Sequence, residues 1–162
     1  FTRVLKGHIA VASFKLNENS CGDKIDQSAR KFLRDVSLDY PHGTGHGVGY
    51  FSNVHEGPQA ISRKNKVKFK EGMITSNEPG YYKKGHFGIR IENLVYVKKT
   101  QNKLRFENLT LVPIDKMLIK RELLTSSEKN WLNEYHQRVF NCLKKFMGKL
   151  ELIQLKQACS NI

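Results

Sequence analysis

The hydrophobic period changes twice along this 162-residue chain, and that constrains the fold more than any single motif. In residues 2–16, Val4, Leu5, Ile9 and Ala12 recur at helical spacing. In 22–36, Ile25, Ala29, Phe32, Leu33 and Val36 do the same, with Ser20, Gly22 and Asp23 between the two segments as start signals. From residue 73 the period shortens. MITSNEP (73–79) reads as a strand stopped by Pro79, and GIRIENLVYVKK (88–99) alternates, with Ile89 and Ile91 on one face and Arg90 and Glu92 on the other. LTLVP (109–113) reads as a further short strand. Helical spacing returns after Thr125, which forms a capping-box pattern with Glu128. That helix carries Trp131, Leu132, Tyr135, Val139, Leu143 and Phe146 on one broad face, and ELIQLKQAC (151–159) adds a last short helix. Two helices, several strands and a helix predict an α+β fold with a largely antiparallel sheet. No internal repeat or low-complexity linker interrupts it, so the chain reads as one domain or part of one.

A hydrophobic content of 39% with 27% charged residues fits a soluble globular protein and excludes a disordered one. No apolar run reaches the roughly 20 residues that cross a bilayer. The start, FTRVLKGHIAVASFKL, mixes lysines and a histidine among its apolar residues, unlike a signal peptide, and lacks an initial Met, as a processed chain or a piece of a longer one would. Cys21, Cys142 and Cys159 form no CxxC pair and no even disulfide framework, which favours a reducing compartment. The net charge of +13, with a dense run RKNKVKFK at 63–70, raises nucleic-acid binding. The basic residues are spread along the chain, however, and no recognition helix or aromatic RNA-stacking motif accompanies them, so the charge is read as solvated surface.

Chemistry concentrates in four segments: HGTGH, NVHEGP, NEPGYY and GIRIEN. PHGTGHGVGY (41–50) crowds two histidines and four glycines into ten residues. Glycine lets a backbone approach a ligand closely, and histidine offers a nitrogen to a metal or a proton to a substrate. A glycine-rich surface loop with solvated histidines is the plainer alternative. Arg90 and Glu92 share a strand face that is either exposed or buried, and a buried pair needs a partner or a metal. Glu78 precedes Pro-Gly and taken alone is a turn carboxylate. His8 and His136 read as surface or packing residues, His86 as solvated, and Glu56 diverges from its neighbour His55. Histidine with carboxylates, without clustered cysteines, suits Mn, Co, Zn or Fe, as in a dinuclear hydrolase, although no HExxH-type motif is present.

Taken together, LDYPHGTGHGVGYFSNVHEGP (38–58), EGMITSNEPGYYKKGHFGIRIENLVYV (71–97) and FENLTLVPID (106–115) resemble the C-terminal part of the Xaa-Pro aminopeptidases, or aminopeptidases P. The resemblance continues more loosely through LTSSEKNWLNEYH and back into FTRVLKGHIAVASFK. It implies the C-terminal half of a pita-bread fold, a curved and mostly antiparallel sheet with flanking helices. Residues 1–125 would belong to the metallopeptidase catalytic domain, and 126–162 would be a helical extension packed on it. By motif, His46, Glu78 and Glu92 resemble the metal ligands. His42 and His55 resemble the histidines that contact substrate at the scissile bond, and Arg90 the arginine that steadies ligand carboxylates. The implied activity removes an N-terminal residue before a penultimate proline, using two divalent ions, typically manganese. Glu78 would hold and deprotonate the nucleophile, His55 would stabilise the oxyanion, and His42 would assist at the proline nitrogen.

The family uses two further aspartate ligands in a DxGxxY-type setting, and no such segment occurs here, so the chain alone is expected to be inactive. The resemblance also implies a cytoplasmic homodimer, no membrane, and peptides as partners. Two alternatives remain. Methionine aminopeptidases share the Gly-His-Gly and Glu-Pro segments but carry glutamine where this chain has Arg90. A non-enzymatic relative binding nucleic acid or protein would have lost ligands, whereas His46, Glu78 and Glu92 are intact.

Overall fold

The computed structural model describes residues 1–51 and 53–162; Ser52, inside the 38–58 segment, lies outside them. The chain forms two compact units, one of Phe1 and Arg3–Thr110, the other of Thr2 and Leu111–Ile162.

The first unit opens with helices α1 (Thr2–Ala12) and α2 (Gly22–Arg34). Both are shorter than their hydrophobic pattern. α1 stops at Ala12 because the chain must extend for Leu16 to pair with Leu104 and enter the core. α2 stops because Ser37 takes a left-handed conformation (φ 58°), which lets Leu38 N–H reach Leu33 O at 3.0 Å, and Val36 is left exposed rather than on the buried face. Ile25, Ala29 and Leu33 are buried as expected.

Seven strands follow among the described residues. β1 (Gly45–His46) and β2 (Ala60–Ile61) form a short antiparallel pair. β3 (Ile74–Asn77), β6 (Asn93–Thr100) and β7 (Lys103–Asn108) form an antiparallel sheet in the order β3-β6-β7. β4 (Gly80–Lys83) and β5 (Phe87–Arg90) form a hairpin. β6 is central as its LVYV run implied, and Val95 and Val97 join Val11, Ile25, Ile61, Phe69 and Phe106 in one core.

Two strand expectations are corrected, and one strand was not foreseen. The run 88–99 is two strands, interrupted at Ile91–Glu92. LTLVP is not a strand: Leu109 and Val112 are exposed, and the Leu94 N–H is taken by the Thr110 hydroxyl. The edge position belongs instead to β7, which turns back from β6 through Gln101 and Asn102, both at positive φ as a tight hairpin needs.

The interruption positions the site. The β3/β6 ladder ends at Asn77↔Asn93, and the β4/β5 ladder begins at Gly80↔Arg90. Glu78–Pro79 and Ile91–Glu92 face each other across this gap. Pro79 has no N–H to continue a ladder, and Ile91 N–H reaches Pro79 O at 3.3 Å. Both glutamates therefore leave the sheet at the same level.

The second unit carries α3 (Ser126–Leu143) and α4 (Lys149–Ala158). The Thr125/Glu128 capping box forms in full. Leu132, Tyr135 and Val139 are buried, and Trp131 stacks on Tyr135 with rings 5.4 Å apart. Phe146 does not join that face. It lies beyond the helix in a 3-10 turn and is 72% exposed.

Candidate metal centre

The His/Gly segment is stitched to β3 by backbone and hydroxyl groups. Glu78 N–H donates to Thr44 O (2.8 Å), His46 N–H to Ser76 Oγ (2.9 Å), and the Thr75 hydroxyl to His46 O (2.8 Å). A Cβ at Gly45 would lie 2.0 Å from the Ser76 carbonyl oxygen, so only glycine allows this approach.

From the other side, α2 holds the loop through a buried ion pair. Arg30 donates to Asp26 (2.8 Å), to Asp39 (2.7 Å) and to the carbonyls of Tyr40 and His42. Asp26 in turn accepts from the Thr44 hydroxyl, which also contacts Tyr40 Oη. Burial pushes the Tyr40 hydroxyl up to about 12, so it stays a neutral hydrogen-bonding group. A buried charge pair is costly unless its remaining donors are satisfied, and here the loop carbonyls do so.

On this framework His46, Glu78 and Glu92 converge, with one ligand atom from each lying within 4.8 Å of the others. The polarity of their contacts is informative. His46 Nδ1 is 2.9 Å from Gly47 O, and a carbonyl only accepts, so Nδ1 carries the proton. Nε2 then turns toward Glu78 Oε1 at 3.2 Å, so an acceptor lone pair faces a carboxylate. A positive charge between them, a second proton or a metal ion, reconciles the two. One imidazole nitrogen and two carboxylates is also the donor set that hard and borderline divalent ions take. The residues therefore fit a metal. Glu78 Oε1 further accepts from the Ser76 hydroxyl at 2.9 Å, which fixes the carboxylate's orientation.

Arg90 reaches Glu78 Oε2 at 3.5 Å and also faces Glu92, while its Nε donates to Tyr82 Oη at 2.8 Å. Tyr82 Oη lies 2.8 Å from His42 Nε2, and His42 Nδ1 lies 2.7 Å from Gly43 O. Arginine only donates and a carbonyl only accepts, so with a neutral His42 ring the bonds run from Arg90 to Tyr82, from Tyr82 to His42 Nε2, and from His42 Nδ1 to Gly43. His55 is exposed and packs its ring 3.8 Å from that of His46.

All six residues singled out by motif thus lie on one chain of contacts: His42, then Arg90 through Tyr82, Glu78, His46 and His55, with Glu92 beside Glu78 and His46. Glu56 is exposed near Asn53, and His86 is exposed in its turn. His8 and His136 are fully buried, which decides for packing over surface. Sequence reasoning missed Tyr82, although NEPGYY contains it, and missed Asp26 and Arg30, whose i,i+4 spacing on α2 was a visible signal.

Residues 1–99 match the model for metallopeptidase family M24, and 102–162 match that for the C-terminal region of peptidase M24. The chain belongs to metallopeptidase family M24. Among M24 relatives, a protein of Coprinopsis cinerea named "Probable Xaa-Pro aminopeptidase P" is 50% identical over 151 residues, covering 86% of this chain and 24% of its own length. The "Xaa-Pro aminopeptidase 1" of Dictyostelium discoideum is 46% identical over 148 residues, with the same two coverages of 86% and 24%. The crystal structure of an X-prolyl aminopeptidase from Caenorhabditis elegans, described as a cytosolic enzyme with a di-nuclear active site, matches 99% of this chain and 28% of its own, at 41% identity and a TM-score of 0.91. This M24 chain thus spans about a quarter of the length of the curated relatives it matches. Its helices and antiparallel sheets are those of the C-terminal part of a pita-bread metallopeptidase fold.

Proposed function

We propose that this chain is the C-terminal part of the catalytic domain of a metal-dependent aminopeptidase that removes the N-terminal residue preceding a penultimate proline. The observation that carries the reading is the convergence of His46, Glu78 and Glu92 with the His46 lone pair turned into the cluster. His46 Nε2 and the two carboxylates would hold divalent ions, read as a manganese pair, together with two aspartates supplied from outside these 162 residues. The chemistry supplied by bound ions is polarisation of the scissile carbonyl and acidification of water to a pKa near ~7.

This chain's own groups have separate tasks. Glu78, oriented by Ser76 and Arg90, takes the proton of the attacking water and passes it toward the departing proline nitrogen. His55, exposed beside His46, donates to the oxygen that becomes anionic. His42 stands at the leaving-group side, with its ring orientation set by Tyr82 and Gly43. The protein is further read as a cytoplasmic homodimer. Met117, Phe146, Leu150 and Ile153 of the second unit are strongly exposed, as a subunit interface needs. Sedimentation at micromolar concentration is expected to give a dimer, and a monomer would remove that part of the reading.

The test of activity compares a Xaa-Pro tripeptide with its Xaa-Ala analogue in the complete polypeptide loaded with manganese. The proline peptide is expected to be cleaved at its first bond and the alanine peptide poorly. Equal cleavage of both would overturn the proline assignment, and activity unaffected by Glu78→Gln would overturn the site.

A further inference from the structure

His8 lies in the middle of α1, completely buried, and makes two contacts that bear on the site from behind. Its ring Nδ1 is 3.2 Å from the carbonyl oxygen of Ile91, the residue immediately before Glu92. Its own carbonyl oxygen accepts from Asn77 Nδ2 at 3.0 Å, and Asn77 immediately precedes Glu78. One residue of one helix thus grips both glutamate-bearing segments. These are the segments released from the β-ladders, which end at Asn77↔Asn93 and resume at Gly80↔Arg90. A strand position is normally fixed by its ladder; here the ladder is interrupted just where ligand placement must hold to within about 0.2 Å.

We propose that His8 is a positioning residue that sets the relative placement of the Glu78 and Glu92 carboxylates, and through it the affinity of the site for divalent ions. The proposal rests on the metal reading of the site. The Ile91 carbonyl can only accept, so His8 Nδ1 carries the proton. Burial lowers the imidazole to about 4, which keeps the ring neutral near pH 7 with that one tautomer held by its bond. α1 is itself anchored on α2, since a Cβ at Gly7 would come within 2.5 Å of Ala29 O. The helix that presents His8 is therefore packed directly on the helix whose Arg30 holds the His42–His46 loop.

The experiment uses the complete polypeptide and three variants: His8→Leu, which keeps bulk but cannot donate; His8→Asn, whose side-chain amide can donate from near the Nδ1 position; and Ile25→Val, a change in the core on α2, outside both glutamate segments. Manganese binding to the metal-free proteins is measured by calorimetry, with thermal unfolding alongside. His8→Leu is expected to bind manganese ~10- to 100-fold more weakly, the range for losing a group that orients ligands. His8→Asn is expected to stay within about threefold of the parent, and Ile25→Val to keep parental affinity despite a lower melting temperature. A folded His8→Leu that binds as tightly as the parent overturns the proposal, as does a folded His8→Asn that binds tenfold more weakly. An Ile25→Val variant that loses affinity equally also overturns it, by making the effect one of stability. If the unmodified protein itself binds no manganese, the metal reading falls and His8 with it, a result distinct from the others.

Discussion

A tyrosine hydroxyl between a cation and an imidazole has one consistent set of bond directions, and Tyr82 occupies that place. With His42 Nδ1–H given to Gly43 O, Nε2 of the neutral ring accepts, so Tyr82 donates to it while its oxygen accepts from Arg90. Tyr82→Phe leaves that nitrogen and the Arg90 Nε–H without their partner, while no metal-holding atom is removed. Turnover is expected to fall ~10- to 100-fold with manganese content unchanged; unchanged turnover would mean that His42 orients without the hydroxyl. His55→Ala is a sharper case. His55 packs on His46 but is not part of the three-residue ligand cluster. Loss of an oxyanion donor lowers turnover roughly 100- to 1000-fold, again with metal retained, and loss of metal instead would make His55 a ligand. The six motif residues were legible through the family resemblance; residue types alone left a solvated glycine-rich loop and a turn carboxylate before Pro-Gly as open alternatives. Tyr82 and His8 were not, because each acts through another residue and such a role leaves no composition signal; Asp26 and Arg30 showed only their i,i+4 spacing on α2. His8 in particular reads in sequence as one more position on a helix face.

At the scale of elements, pattern and breakage were unequally visible. Helix interiors, the Thr125 capping box and central β6 followed from spacing alone. β7 did not, because its turn uses Gln101–Asn102 rather than the Asn-Gly pair that advertises such hairpins. The split of 88–99 was hidden because parity survives it: Ile91 is buried while Arg90 and Glu92 are exposed, as in an unbroken strand. The contact between α2 and the His/Gly loop gives a stability test. Removing one partner of a buried ion pair leaves the other uncompensated and costs about 3–5 kcal/mol. Arg30→Met, which strands Asp26, is expected to lose that much in urea unfolding, and a loss under about 1 kcal/mol would show the pair to be dispensable.

α3 carries a second stability test, this time of pH. The Ile114 N–H donates to His136 Nε2 at 3.0 Å, and burial, aided by Lys116, lowers the imidazole from 6.5 to about 4. As pH falls, the unfolded chain takes the proton first, so stability is present above about 6.5 and is lost progressively down to about 4. At about 1.4 kcal/mol per pH unit the loss is on the order of 3 kcal/mol. In His136→Gln the amide oxygen can accept the same N–H but does not titrate. Chemical unfolding at pH 7 and pH 4.5 is expected to show the parent losing more stability than the variant, and parallel losses would remove His136 as the cause.

The scale of the whole molecule decides what this chain can do by itself. The family resemblance implies five protein ligands for two divalent ions, and among the described residues one cluster of His46, Glu78 and Glu92 has ligand geometry. These three bring two negative charges against the +4 of two divalent ions, where two aspartates would bring two more. The shortfall is not made up elsewhere, because the chain is already basic, at a formal +13. Charge left unbalanced in this way lowers affinity, and the second ion suffers most, since it must sit roughly 3.5–4 Å from the first without a full set of carboxylates. Arg90, 3.5 Å from Glu78, adds to the repulsion when the carboxylates are too few. The isolated 162-residue chain is therefore expected to bind manganese weakly and to cleave a Xaa-Pro peptide far more slowly than a polypeptide carrying a DxGxxY-type segment upstream. Turnover by the isolated chain within about tenfold of such a polypeptide would correspond to under about 1.4 kcal/mol of transition-state stabilisation from everything upstream. That outcome would require a ligand set complete within these residues, and the roles of His46, Glu78 and Glu92 would have to be redrawn.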